Sequence, residues 1–260
     1  MLTKNDIKSI IRLTQKKYRG ETNCFLAEGG RLCEEAIQSG WQIDHVLYCP
    51  SFLHSLRARQ ALKLAQQKQL RVCELPVDDF VGITDTITSQ GIVAVVHRRP
   101  PECDPLDQLR QSPRCLLVAI EKLHDPGNLG TILRTADWLG VDGLIVGPNC
   151  VEVYNPKVVR ASMGSIFRLP IHEITEFVDL LRKFQMFGAV LYGADQAGDF
   201  PYTTLRFASK KVLVLGDEIA GLSPGVKEII HHCVSIPKRG GGESLNVAIA
   251  SAILLAEMCR

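Results

Sequence analysis

Three short stretches hold the side chains whose types and spacing could do chemistry. The first, 121–130, reads Glu-Lys-Leu-His-Asp-Pro-Gly-Asn-Leu-Gly and carries Asn128 and Gly130, with Arg134 a turn further on. The second, 216–222, reads Gly-Asp-Glu-Ile-Ala-Gly-Leu and sets Glu218 between Gly216 and Gly221. The third, 236–247, reads Ile-Pro-Lys-Arg-Gly-Gly-Gly-Glu-Ser-Leu-Asn-Val and brings Ser244 and Asn246 after three glycines. Amide, guanidinium, carboxylate and hydroxyl groups orient a substrate and offset charge as it develops. Glycines let the backbone come close to a ligand, and a glycine loop ahead of a helix could equally cradle phosphate. Patterns of commoner chemistries are missing from the sequence. It has no G-x-G-x-x-G after a strand, no G-x-x-x-x-G-K-[ST] and no G-x-S-x-G.

The stretches form one site only if the elements around them converge. Strands are expected at 115–120, 143–147, 188–192, 211–215 and 233–236, and helices at 128–139, 155–161, 174–186, 224–230 and 245–258. This alternation predicts an α/β fold with a mostly parallel sheet and flanking helices. In such a sheet ligands bind beyond the carboxyl ends of the strands, where all three stretches lie. Asn128 is placed to cap the first of these helices. There Leu129, Ile132, Leu133, Ala136 and Leu139 make an apolar stripe, and Arg134 lies about 140° from Leu129, facing away from the core. Ser244 is placed to cap the last helix, which is apolar on nearly all sides and so expected to be buried. Asn246, in its first turn, is then a polar group in need of a partner.

The first hundred residues read differently. A helix is expected over 2–19, where Lys4, Lys8, Arg12, Lys16, Lys17 and Arg19 face only one acid, Asp6. Such a face is either solvated or in contact with phosphate. A helix over 30–38, a strand at 43–49, a helix capped by Ser51 and running to about 69, and strands at 71–75 and 91–97 make a small α/β module. Pro100, Pro101, Pro105 and Pro113 mark a linker. The expected division is 1–98, a linker at 99–113, and 114–260. Hydrophobic content of 46% and charge content of 22% suit an ordinary globular chain, and a net charge of +2 points to no partner. Cys24, Cys33, Cys49, Cys73, Cys103, Cys115, Cys150, Cys233 and Cys259 include no C-x-x-C pair, so reduced thiols and no metal are expected. The absence of an apolar run of signal or membrane length leads us to expect a soluble, cytoplasmic protein.

Taken in order, the three stretches resemble the signature of the SpoU/TrmH family of SPOUT methyltransferases. The matching positions are Asn128, Gly130 and Arg134; then Gly216, Glu218, Gly221 and Leu222; then Ile236, Pro237, Ser244, Leu245, Asn246 and Val247. The resemblance implies a deep trefoil knot in the C-terminal sheet, a homodimer, and methylation of an RNA ribose 2′-hydroxyl by S-adenosylmethionine. It further implies catalytic roles for Asn128, Arg134, Glu218, Ser244 and Asn246. Gly193, Ala194, Leu215, Gly216, Gly221, Ile236, Leu245 and Val247 would contact the cofactor. Residues 25–29 and 89–94 look like phrases of the family's N-terminal, ribosomal-protein-like substrate-binding domain. The basic arm of Lys4, Lys8, Arg12, Lys16, Lys17 and Arg19, with Lys238 and Arg239, is therefore expected on RNA.

Two-domain members favour ribosomal RNA over tRNA. The alternatives are a tRNA ribose methyltransferase, a catalytically silent RNA-binding member, a base methylase of the same fold, and a dinucleotide oxidoreductase. Two roles stand open for Arg134, a base or a cation that steadies the 2′-oxygen. The sequence departs from the family at Ile219-Ala220, where glycine is usual, and at Lys238-Arg239 with an extra glycine.

Overall fold

A computed structural model describes residues 2–86 and 88–260 and resolves the chain into two units. The first comprises residues up to Arg99 together with Glu152–Arg168; the second is Pro100–Val151 with Leu169–Arg260. The segment 152–168 thus lies in the first unit, although the sequence reading placed it with the C-terminal module.

In the first unit, helices α1 (Lys4–Arg12) and α2 (Lys16–Thr22) precede strand β1 (Cys24–Glu28). Helix α3 (Gly30–Gln38), β2 (Ile43–Tyr48), α4 (Leu56–Gln67), β3 (Val72–Glu74), α5 (Val77–Ile83) and β4 (Ile92–His97) follow. The sheet order is β1-β4-β2-β3, with β4 antiparallel to both β1 and β2. The single helix expected over 2–19 is two. Thr14 Oγ1 donates to the Ile11 carbonyl at 2.8 Å and Gln15 is extended, so the chain breaks between them. Helix α4 is capped by Ser55, whose hydroxyl accepts from the Ala58 amide, and not by Ser51, which sits in a 3₁₀ turn.

The second unit opens with α6 (Pro105–Gln111), inside the stretch read as linker. Asp104 caps it and Pro105 occupies its first turn, so a proline that looked like a breaker is a helix start. Then come β5 (Cys115–Leu123), α7 (Pro126–Trp138) and β6 (Gly143–Cys150). After helix α8 (Pro156–Ser162), which belongs to the first unit, the chain returns through β7 (Ile171–Glu173), α9 (Phe177–Met186), β8 (Val190–Ala194) and β9 (Phe200–Pro201). Strand β10 (Lys210–Leu215), α10 (Pro224–Lys227), β11 (His232–Ser235) and α11 (Val247–Met258) complete it.

Seven strands lie in the order β7-β6-β5-β10-β8-β11-β9, every pair parallel. Residues 115–120 and 212–215 are buried without alternation, the mark of strands covered on both faces. From β5 the chain runs first to β6 and β7 on one side, then to β8, β10 and β11 on the other. This reversal leaves a crevice at the carboxyl ends of β5 and β10.

Candidate active site

Two helix caps build the site. Asp125 caps α7, its Oδ1 accepting from the Asn128 amide at 2.8 Å. A carboxylate suits the positive end of a helix, and it frees the Asn128 side chain, which had been expected to cap. At α11 the cap is Asn246, not Ser244: Asn246 Oδ1 accepts from the amides of Ala248 at 2.9 Å and Ile249 at 3.3 Å.

That cap sets the direction of everything beyond it. With Oδ1 committed to backbone N–H groups, Asn246 must turn its Nδ2 outward, and it donates to Asn128 Oδ1 at 2.9 Å. Asn128 must then present Nδ2 on its other side, where it donates to Glu218 Oε1 at 2.9 Å. The relay Asn246–Asn128–Glu218 joins all three stretches with one polarity, and it requires Glu218 to be an acceptor. Of the five expected catalytic residues these three are joined by hydrogen bonds. Arg134 and Ser244 are exposed, and their side chains have no hydrogen-bond partner among the described residues.

Glu218 is held by the turn that carries it. Asp217 and Gly221 exchange backbone hydrogen bonds of 2.9 and 3.0 Å. Gly221 has φ +67°, and a Cβ at Gly216 would lie 2.6 Å from the Leu222 nitrogen. Asp217 Oδ1 accepts from Ile219 and Ala220, both at 2.9 Å, and its Oδ2 meets Lys122 Nζ at 3.0 Å. The Ala220 and Ile219 amides, with the Lys122 ammonium, hold the Asp217 carboxyl well below the usual carboxylate range. Ile219, in place of a glycine, points almost wholly into solvent at 98% exposure, so the turn accommodates it.

Beside Glu218 lies a cavity of 540 Å³, within the common range for small-molecule sites. Ala194, Leu215, Gly216, Gly221, Ile236, Leu245 and Val247 line it, seven of the residues expected on the cofactor. Gly193 is not on the wall; a Cβ there would sit 2.6 Å from Leu222 Cδ1, so its smallness serves packing. Asp195, Gln196 and Lys227 also line the cavity and were not foreseen. The signal was available for two of them, since Asp195 and Gln196 follow a strand end. Lys238 and Arg239 stand on the same wall, exposed.

In the first unit Lys4, Lys8, Arg12, Lys16 and Lys17 are exposed. Arg19 is not, at 2% exposure. Its Nε donates to the Glu152 carboxylate at 3.0 and 3.2 Å and its Nη1 to the Leu13 carbonyl at 2.8 Å. Arg19 is therefore an internal ion pair and leaves the set of RNA contacts. All nine cysteines are free thiols. Among the described residues no helix is long and apolar enough to cross a membrane.

Residues 115–256 match the SpoU rRNA Methylase family. The chain belongs to that family. All three stretches of the SpoU resemblance fall inside the match, and residues 4–94 match the MRM3-like substrate binding domain. The 23S rRNA (guanosine(2553)-2′-O)-methyltransferase RlmP of Bacillus subtilis (strain 168) is 32% identical over 251 residues, 96% of this chain and 94% of that protein. A 23S rRNA (uridine(2479)-2′-O)-methyltransferase of Streptomyces viridochromogenes is 32% identical over 253 residues, 95% and 86% of the two chains. Among solved structures, an AdoMet-bound rRNA methyltransferase from Sinorhizobium meliloti matches with a TM-score of 0.84 at 32% identity, covering 99% of this chain and 95% of that one. This SpoU chain therefore shares its α/β fold, across both units, with methyltransferases of known structure.

Proposed function

We propose that this SpoU protein transfers a methyl group from S-adenosylmethionine to a ribose 2′-hydroxyl of ribosomal RNA, acting as a homodimer. The Asn246–Asn128–Glu218 relay beside the cavity carries this reading. It ties the three SpoU motifs into one acceptor-terminated chain at the crevice where such sheets bind ligands. The target class is supported by two relatives that act on 23S rRNA, one at a guanosine and one at a uridine. The strand order β5-β10-β8-β11, in which late strands are threaded between earlier ones, supports the knot that the resemblance implies.

The cavity fits the cofactor chemically. Leu215, Ile236, Leu245 and Val247 offer apolar walls for a purine, and backbone at strand ends offers groups for its edges. Asp195 and Lys227, ion-paired at 3.2 Å on the same wall, suit a zwitterionic amino-acid end. When bound, S-adenosylmethionine supplies a methyl on a sulfonium, already activated for in-line displacement.

The chain's residues then orient and stabilise. The relay holds Glu218 and Asn128 in one arrangement, so the ribose meets a preorganised set of acceptors and donors. A guanidinium is not deprotonated in proteins, so a role as base is poor chemistry for Arg134. As a cation it holds a phosphate and offsets the negative charge growing on the 2′-oxygen, while the hydroxyl proton leaves to water. Lys4, Lys8, Arg12, Lys16 and Lys17, with Lys238 and Arg239, supply the phosphate contacts that make RNA binding salt-dependent.

The dimer is supported by α11, whose Ile249 is 51% exposed in the protomer although the helix is apolar on nearly all sides. To test the target, ribosomal RNA from cells with and without the gene is mapped for alkali-resistant nucleotides. Loss of one 2′-O-methyl site is expected; identical maps would sink the ribosomal reading.

A further inference from the structure

Among the described residues, the stretch 237–245 is tied to its unit by one hydrogen bond. Among the described residues it makes no backbone–backbone hydrogen bond, and Lys238, Arg239 and Glu243 have no ion-pair partner. The one bond comes from Gln196, in the loop after β8, whose Nε2 donates to the Glu243 carbonyl at 2.6 Å. Strands β8 and β11 are parallel neighbours, so their following loops leave the sheet side by side and Gln196 can reach. Gln196, Gly240, Gly242 and Glu243 all stand on the cavity wall.

The three glycines have no steric cause within the protomer. None has a positive φ, and a Cβ at Gly240, Gly241 or Gly242 would touch nothing within 4 Å. A residue with a Cβ would fit each position and would narrow the loop's range of motion. What three consecutive glycines then provide is freedom to move, in a loop that borders the cavity.

We infer that Gln196 is a positioning residue that latches the 237–245 loop across the cavity, and that its release lets the cofactor exchange. The exchange step rests on the proposed S-adenosylmethionine reading; the latch itself rests on the geometry alone. Because the acceptor is a backbone carbonyl, the Glu243 side chain is dispensable. Gln196 is exposed, so its replacement leaves folding intact.

The loop carries its own reporter, since trypsin cuts after Lys238 and Arg239. Full-length wild type, Gln196→Ala, Gln196→Glu and Glu243→Ala are digested without ligand, and the cut at 238–239 is timed by mass spectrometry. The two Gln196 variants should be nicked about fivefold faster, the factor one exposed neutral hydrogen bond is worth, and Glu243→Ala at the wild-type rate. Release of tritiated S-adenosylhomocysteine should quicken by a similar factor in both Gln196 variants. Equal nicking in all four proteins overturns the latch. Faster nicking with unchanged release overturns its role in exchange. If wild type binds no S-adenosylhomocysteine, the methyl-donor reading fails, while the nicking rates still decide the latch.

Discussion

At the scale of single residues, the site depends on which atom of each amide faces which neighbour. Asn246→Asp keeps the cap on α11, because a carboxylate also accepts from Ala248 and Ile249. It places an acceptor against Asn128 Oδ1, however, so Asn128 must turn and set its own oxygen against Glu218. The expected result is an unchanged melting temperature with kcat/KM down by roughly tenfold to a hundredfold, the cost of facing acceptors at a charged group. Wild-type kcat/KM would mean that the relay positions nothing. Arg134 separates two mechanisms in the same assay. If it acts as a cation, Arg134→Lys keeps part of the activity and Arg134→Ala loses about a thousandfold. If it acts as a base, the lysine variant instead gains rate as pH climbs toward its pKa of about 10.

The residue types at this site were legible in the sequence, but their pairing was not. Asp125 and Asn128, three residues apart, are both good caps, and so are Ser244 and Asn246, two apart; only the backbone path decides which residue caps and which is freed. Arg19 read as part of a basic stripe because its partner Glu152 lies 133 residues away. Asp195 and Gln196 were missed because β8 was expected to end at 192 and ends at Ala194.

At the scale of elements, apolar periodicity located most strands and helices, while breaks and starts depended on local hydrogen bonding. The prolines of 98–114 suggested a linker, yet Asp104 and Pro105 begin α6. In helix α11 a composition apolar on nearly all sides predicts burial, and Ile249 and Ala256 are exposed all the same. An apolar helix left half-covered calls for a second surface. Ile249→Asp should therefore fold and convert a dimer to a monomer in light scattering after size-exclusion chromatography. A wild-type protein that elutes as a monomer would remove the basis for the dimer.

At the scale of the whole molecule, each unit has its own core, one around Phe80, Leu47 and Val93 and the other around Leu117, Phe184 and Val214. The segment 152–168 joins the first through Tyr154 and Phe167, whose rings lie 4.9 and 6.1 Å from that of Phe25. Arg160 reaches Asp85 at 2.8 Å, and Arg168 pairs with Glu35. No local pattern could announce this, because the contacts span more than seventy residues of chain. What the sequence did show was the order of three motifs at three strand ends, and that order is what the catalytic claim depends on.

The measurement that tests this claim most directly is transfer of tritiated methyl from S-adenosylmethionine to separated ribosomal and transfer RNA, with Arg134→Ala in parallel and alkaline digestion of the product. Label is expected in ribosomal RNA, held in alkali-resistant dinucleotides and lost in the variant. Label released as alkali-sensitive mononucleotides, or retained in full by Arg134→Ala, would contradict the claim.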